Sequence, residues 1–307
     1  MAAGGGTKAI IAALLANAGI AIAKFVGFLI TGSSSMLAES VHSVADTSNQ
    51  GLLLLGQKTA RRAANIDHPF GYGRDRYFYS FIVALMLFTL GSAFALYEGI
   101  HKIQHPEALT SPLVAVVILV VAIILETFSF RTAIVESRLI KGDATWWQFI
   151  RQSRTPELPV VLLEDAGALF GLVFALIGVG LATLTGDPVW DAVGTLMIGV
   201  LLGVIAIILI IEMKSLLIGE GATPRELDTI VDEIAAGRIE RVIHVKTQYI
   251  GPDELLVAAK VALTPGLSVE EVAQAIDDAE HRIRAKVPAA RLIYLEPDLY
   301  RSAKAAT

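Results

Sequence analysis

The chain has 307 residues, of which 54% are hydrophobic and 18% are charged, with a formal net charge of −5 at pH 7. Its mean hydropathy of +0.61 and low charge content are typical of a membrane protein, because soluble domains are about one quarter charged. The lack of cysteine excludes disulfides and thiolate metal sites, and the lack of a long basic run argues against nucleic acid as a partner.

Six segments are apolar over a length that can cross a bilayer, whose hydrocarbon core of about 30 Å takes roughly 20 helical residues. They are residues 8–30, 34–58, 77–101, 112–137, 158–184 and 189–213. The first segment has one lysine near its start and lacks a convincing cleavage site, so we predict a membrane span and not a removable signal peptide.

Basic residues are concentrated in two loops, those after the second and the fourth segment. These loops contain Lys58, Arg61, Arg62, Arg74, Arg76, Arg138, Lys141, Arg151 and Arg154. Cytoplasmic loops of membrane proteins carry an excess of lysine and arginine. We therefore predict a multi-pass integral membrane protein with both termini in the cytoplasm, located in the cell or inner membrane if the source is bacterial.

The last part of the chain has the pattern of a soluble domain. Two helical patterns, with Thr223 and Ser268 as their N-caps, alternate with three strand-like runs in the order αββαβ. This order predicts a small α+β sandwich. We place the domain boundary between residues 215 and 216, giving a membrane domain at 1–215 and a soluble domain at 216–307.

The second segment carries a stripe of polar side chains. On a helical wheel, Ser35, Glu39, His42, Asp46 and Asn49 fall within an arc of about 80°. Such groups can act as hydrogen-bonding contacts between helices. That explanation fits the serine and the asparagine, but ionisable groups in a span usually mark an ion or proton path. One imidazole and one carboxylate a helical turn apart can bind Zn²⁺, Mn²⁺, Fe²⁺ or Co²⁺ together.

The fifth segment contains a second acidic group. Glu164 and Asp165 are adjacent and point about 100° apart on a helix, so only one can face the second segment directly. Gly167 and Gly171 form a small-xxx-small pair that permits close helix packing. A carboxylate near a helix start can also be explained by the helix dipole, although Asp165 lies well inside the segment. We predict that these carboxylates complete a metal site with the second segment.

These segments resemble the cation diffusion facilitator family. The resemblance is carried by TGSSSMLAESVHSVADTSNQ, DHPFGYGRDRYFYS, TGDPVWDAVGTLMIG and RLIYLEPD, and it covers nearly the whole chain. ESVHSVAD and VVLLEDAGAL look most like the branch that contains the mitochondrial zinc transporter nine. The resemblance implies a membrane all-α six-helix domain, a cytoplasmic ferredoxin-like domain for regulation and dimerisation, and a homodimer that exchanges divalent metal for protons.

In this family, His or Asp followed four residues later by Asp on span two pairs with His-xxx-Asp on span five. His42, Asp46 and Asp165 match three of these positions, but Val161 occupies the place of the span-five histidine. The replacement ligand is left open between four candidates: Glu164, Glu39, Asn49 and a water molecule. A site with one imidazole and several oxygen ligands is harder than the usual family site with two imidazoles and two carboxylates. The harder site raises the chance that Mn²⁺, Fe²⁺ or Co²⁺ is the substrate.

The resemblance also points to two weaker metal candidates. His68, beside Asp67, matches one ligand of a loop site found in some members, although Asn65 and Tyr72 stand where further ligands would be expected. In the soluble domain, His244 and Glu296 lie near positions that often bind zinc between subunits. Lys260 and Tyr294 replace histidines there, so we predict dimerisation without zinc.

We therefore predict a secondary transporter, not an enzyme, that exports a divalent metal from the cytoplasm in exchange for protons. Zinc is the first candidate, and Mn, Fe or Co are the others. The metal is the transported substrate, and no tightly bound cofactor is expected. The alternative is a non-transporting membrane metal sensor or scaffold, which would bind metal without moving it.

Overall fold

The computed structural model describes residues 18–106 and 109–300. The start of the first predicted span, residues 8–17, lies outside the described residues. By its internal contacts the described chain divides into two compact units: residues 18–58 and 78–214 form a membrane unit, and 59–77 and 215–300 form a C-terminal unit.

The membrane unit is entirely helical. Its elements are α1 (Ala18–Thr31), α2 (Ser34–Ala60), α3 (Asp75–Met86), a π-helical stretch (Leu87–Ala93), α4 (Phe94–Gln104), α5 (Pro112–Lys141), α6 (Trp146–Gln152), α7 (Glu157–Thr185) and α8 (Val189–Ile218). The stretch from α3 to α4 forms one continuous helical segment, Asp75–Gln104. The start positions agree closely with those expected from the sequence for α2, α3, α5, α7 and α8, and the all-α membrane architecture is confirmed.

Four of these segments are long and apolar enough to cross a membrane by themselves: Asp75–Gln104, Pro112–Lys141, Glu157–Thr185 and Val189–Ile218. Helix α2 has 27 residues, which is sufficient length, but the polar stripe lowers its hydropathy. Helix α1 is described only from Ala18. Four of the six predicted spans therefore meet this criterion among the described residues, and the spans at α1 and α2 stay predictions.

Glycines allow the last helices of the membrane unit to pack closely. A Cβ atom at Gly178 of α7 would lie 2.9 Å from the Trp190 carbonyl oxygen and 3.2 Å from the Gly194 Cα of α8. A Cβ atom at Gly199 of α8 would lie 2.8 Å from Leu96 of α4. Both distances are too short for a real side chain, so α8 packs backbone to backbone against its neighbours at these points.

The C-terminal unit contains α9 (Pro224–Ile234), β1 (Ile239–Gly251), β2 (Glu254–Leu263), α10 (Val269–Lys286) and β3 (Ala290–Pro297). The sheet order is β1-β2-β3, with β1 antiparallel and β3 parallel to β2. Thr223 and Ser268 are the N-caps, as predicted, and each also forms a capping box. The αββαβ order and the α+β class are confirmed.

The C-terminal unit also includes the segment that follows α2. A Cβ atom at Gly73 would lie 2.9 Å from the Ile250 carbonyl oxygen, and Arg76 Nη1 donates a hydrogen bond to Asp253 Oδ2 at 3.1 Å. This segment was not expected in the second unit, because contacts between residues so far apart in the chain leave no local pattern. The boundary placed between residues 215 and 216 stays a prediction.

Candidate metal centre

Helix α2 is fixed at its start by a carboxylate from another helix. Asp191 of α8 accepts hydrogen bonds from Ser33 Oγ at 2.8 Å, from the Ser34 backbone N–H at 2.8 Å and from Ser34 Oγ at 3.1 Å. Asp191 is fully buried. A carboxylate at a helix N-terminus stabilises the unpaired N–H groups and the positive end of the dipole. Asp191 therefore caps α2 from α8 and anchors the end of the helix at which the polar stripe begins.

The polar stripe of α2 faces the interior of the unit. Glu39 and Asn49 are fully buried, and His42 is 1% exposed. Val44, on the opposite face, is 53% exposed. The stripe predicted from the helical wheel is therefore the buried face of the helix, although groups of this polarity are expensive to remove from water.

Glu39 has a basic partner from α1. Lys24 Nζ lies 3.1 Å from Glu39 Oε2 and donates a hydrogen bond to Ser43 Oγ at 2.8 Å. Both charged side chains are fully buried. The other oxygen, Glu39 Oε1, has no hydrogen-bond partner among the described residues. A Cβ atom at Gly171 of α7 would lie 2.6 Å from that oxygen, so a larger residue there would displace the carboxylate from its present position.

His42 and Asp46 approach each other as their spacing predicts. His42 Nε2 lies 3.5 Å from Asp46 Oδ2. Within the described part of the chain, neither ring nitrogen of His42 makes a hydrogen bond, and Asp46 Oδ1 makes none either. A buried polar group usually has a partner, so these atoms keep their capacity to bind a ligand.

The two carboxylates of α7 turn to different neighbours. Glu164 Oε1 accepts a hydrogen bond from Asn49 Nδ2 of α2 at 2.7 Å, and Asp165 Oδ2 accepts one from Ser129 Oγ of α5 at 2.9 Å. Adjacent residues point about 100° apart on a helix, which accounts for this division. Asn49 is thus placed to orient Glu164.

A small cavity of about 20 Å³ brings acidic groups from three helices together. Its lining includes Asp46 of α2, Glu126 of α5, and Val161, Glu164 and Asp165 of α7. A cavity of this size holds about one water molecule. Four carboxylates around so small a space form an oxygen-rich environment of the kind that attracts a cation.

The arrangement differs from the one expected in two respects. His42 does not line the cavity, and Asp46 is the residue that borders both the imidazole and the other carboxylates. Among residues 18–106 and 109–300, no group of three or more His, Asp or Glu side chains is close enough to hold an ion as it stands. The groups share one cavity but would have to move together to bind one ion.

Sequence reasoning missed two charged residues in this region. Glu126 in the fourth segment and Lys24 in the first were not predicted as site residues. The available signal was the same for both, since an ionisable residue within a span is a candidate functional residue by default. Their partners are distant in the chain, so the sequence could not show what they face.

The weaker metal candidates have other contacts. The His68 ring stacks on Tyr72 with 4.4 Å between centroids, and the His68 backbone N–H donates to Asn65 Oδ1 at 2.7 Å. Asn65 Nδ2 in turn donates to Tyr72 Oη at 3.0 Å. Asp67 is exposed beside them. These contacts describe a tight turn held by side chains.

His244, Lys260 and Glu296 occupy neighbouring positions on β1, β2 and β3. Lys260 Nζ lies 2.8 Å from Glu296 Oε1 and 3.6 Å from Asp298 Oδ2. The hydrogen bond to Glu296 raises the pKa of the Lys260 ammonium above its usual value. The lysine therefore places a positive charge between the two candidate zinc ligands.

Comparison with known proteins identifies relatives. The family described as the cation efflux transmembrane domain matches residues 10–218. The mitochondrial proton-coupled zinc antiporter of Mus musculus is 33% identical over 83% of this chain and 45% of its own length. The Xenopus laevis counterpart is 36% identical over 83% of this chain and 46% of its own length. Metal tolerance protein C4 of Arabidopsis thaliana is 29% identical over 83% and 56% of the two chains.

The chain spans about half the length of these curated relatives. The family match covers the membrane unit and three of the four segments on which the resemblance was based, all but RLIYLEPD near the C-terminus. The chain therefore belongs to the cation efflux family, near its mitochondrial zinc antiporter branch.

Proposed function

We propose that this protein exports a divalent transition metal, zinc foremost, from the cytoplasm in exchange for protons. The observation that carries the proposal is the cavity lined by Asp46, Glu126, Glu164 and Asp165, contributed by α2, α5 and α7. Carboxylates within membrane spans are costly and rare, and those that occur usually mark an ion or proton path. The relatives named as proton-coupled zinc antiporters support the same function.

The donor set favours a cation that accepts oxygen ligands together with one nitrogen. Zinc binds imidazole and carboxylate, while Mn²⁺, Fe²⁺ and Co²⁺ accept the same groups with a stronger share of oxygen. Val161 lines the cavity at the position where the family usually has histidine. We therefore expect transport of zinc with weaker discrimination against these three ions than a site with two imidazoles would give.

Proton coupling would follow from competition for the same groups. His42 must lose its proton, and the carboxylates must be ionised, before they can hold a metal ion. Metal loading on one side of the membrane would release protons, and protonation on the other side would expel the metal. Alternating access around Asp46, at the point shared by the imidazole and the cavity, would separate the two events.

Basic loops support the membrane orientation on which the export proposal depends. The loops after the second and fourth predicted spans carry the excess of lysine and arginine, which is typical of the cytoplasmic side. We also propose that the active form is a homodimer and that the C-terminal unit regulates it. Both of these statements follow from the family resemblance.

Transport by the full chain in proteoliposomes under an imposed pH gradient tests the proposal. We expect uptake of Zn²⁺ that stops when an ionophore collapses the gradient, and slower uptake of Mn²⁺, Fe²⁺ and Co²⁺. The combined variant His42→Ala, Asp165→Ala should lose pH-driven flux. Glu136→Gln is a matched control, because Glu136 is an exposed carboxylate on α5. Unchanged flux in the combined variant would contradict the site.

A non-transporting sensor or scaffold is the second candidate function. Its supporting observation is the small cavity, which could hold an ion without a path for release. That function predicts zinc binding by the reconstituted protein with no flux at any pH gradient. Transport that depends on Asp46 would exclude it.

A further inference from the structure

Lys24 is a charged side chain in an unusual position. It lies in α1, is fully buried, and its ammonium contacts Glu39 at 3.1 Å and Ser43 at 2.8 Å. A lysine can usually extend its long side chain to reach water at the membrane surface. This one instead points into the membrane unit, so its partner is a specific carboxylate on the polar stripe of α2.

Glu39 is held between α1 and α7. One carboxylate oxygen faces the Lys24 ammonium, and the other lies against the backbone of Gly171. His42 follows one helical turn later on the same face of α2. Glu39 is therefore close to the predicted metal ligands, while its charge is already opposed by Lys24.

We propose that Lys24 is a tethered cation that keeps Glu39 out of the metal coordination set. This inference rests on the proposed function. In this role Lys24 is a positioning residue that fixes the net charge near the metal and thereby the balance between binding and release. Glu39, which the sequence suggested as a ligand, becomes the partner of this internal cation.

The charges explain why such a partner would matter for transport. A divalent ion near His42 and Asp46 is attracted by every ionised carboxylate within reach, and the attraction is strong in a medium of low dielectric constant. A free Glu39 would add to this attraction and would slow release. Lys24 cancels the charge of Glu39, so the ion interacts with a neutral pair at this point.

Four variants of the full chain test the assignment: Lys24→Met, Lys24→Arg, Glu39→Gln and the combination of Lys24→Met with Glu39→Gln. Lys24→Met should lower the KM for zinc by about tenfold and reduce the maximal rate, because a freed carboxylate binds the ion and delays its release. Glu39→Gln should raise the KM, since the ammonium then repels the ion. The combined variant and Lys24→Arg should both have a KM within about threefold of the parent value, because each leaves the pair without net charge.

Zinc binding should be measured in parallel from the shift of the unfolding midpoint on addition of Zn²⁺, which does not depend on flux. If the parent binds zinc but does not transport it, the proposed function fails, and the binding series still tests Lys24. If Lys24→Met does not fold, the weaker binding of Glu39→Gln and its recovery in the combined variant decide the question. Equal zinc affinity in all four variants, or no recovery in the combined variant, would overturn the inference.

Discussion

The two units of this protein each contain a lysine–glutamate pair, and the pairs differ in their surroundings. Lys24 and Glu39 of the membrane unit are fully buried at 3.1 Å. Lys260 and Glu296 of the C-terminal unit are closer, at 2.8 Å, but are 32% and 63% exposed. Water and salt weaken the exposed pair, whereas breaking a buried pair leaves a bare charge and costs about 3–5 kcal/mol. The environment of the pair, and not the distance between its charges, therefore decides which pair contributes more to stability.

The same contrast extends to the candidate metal sites. Four carboxylates of the membrane unit share a cavity, and several polar atoms on α2 lack hydrogen-bond partners among the described residues. In the C-terminal unit, Glu296 is bound by Lys260, and His68 stacks on Tyr72. Charge changes in the membrane unit should therefore alter transport, and similar changes in the C-terminal unit should have small effects.

The largest expected effect is on the cavity carboxylates. Asp46→Asn and Asp165→Asn should each reduce the rate of zinc transport by about 100-fold or more, because each removes a charge from the proposed metal path. Glu126→Gln should reduce the rate by about tenfold, since Glu126 lines the same cavity from α5. Initial rates in proteoliposomes measure these effects, with Glu136→Gln as the control on α5. If Asp46→Asn transported zinc at the parent rate, the predicted functional difference between the two units would be contradicted.

A histidine placed in each unit would sharpen the comparison. Val161→His adds a second imidazole to the lining of the cavity and should improve selectivity for Zn²⁺ over Mn²⁺ by about tenfold. Lys260→His adds an imidazole between His244 and Glu296 in the C-terminal unit and should leave this selectivity unchanged. Competition between the two ions in the transport assay measures both effects. A change in selectivity from Lys260→His alone would contradict the assignment.

An intermediate effect is expected at the start of α2. Asp191→Asn weakens three hydrogen bonds to Ser33 and Ser34 and should lower the free energy of unfolding by about 2 kcal/mol. Asp187→Asn is the matched control, because Asp187 is exposed and its carboxylate accepts a hydrogen bond from the Val189 backbone N–H at 3.0 Å. Thermal unfolding of the full chain in detergent compares the two. Equal midpoints would show that Asp191 does not anchor the helix.

The smallest effect is expected for the exposed pair. Lys260→Met should lower stability slightly at neutral pH, and much less than Lys24→Met does. Because the folded-state pKa of Lys260 is raised, its contribution is complete below the usual lysine pKa of about 10.4 and is lost as the pH rises through the folded value. The free energies of unfolding of the parent and the variant should therefore become equal at high pH. A difference that grew with pH would contradict this account.

The sequence predicted the helices and strands because both have local signals. Hydropathy marked α5, α7 and α8, and alternation marked β1 and β2. The helical wheel found the stripe on α2, because its side chains repeat with the period of one helix. The Ser268 cap was recognisable for the same reason, since the capping pattern lies within four residues.

The partners across helices could not be predicted in the same way. Lys24 meets Glu39, Asn49 meets Glu164, and Asp191 meets Ser34 only because four helices pack in a particular order. A single span shows which face is polar, but it does not show which neighbour that face contacts. The role of Glu126 likewise depends on α5 lying beside α7 at the level of Asp165.

The central claim is that the metal ion binds in the cavity between α2, α5 and α7. Crystals of the full chain soaked with zinc would test it through the anomalous scattering at the zinc edge. The account predicts a peak with carboxylate oxygens of Asp46 and Asp165 at about 2.0–2.2 Å. A peak only at His68 or His244, with none in the membrane unit, would contradict it.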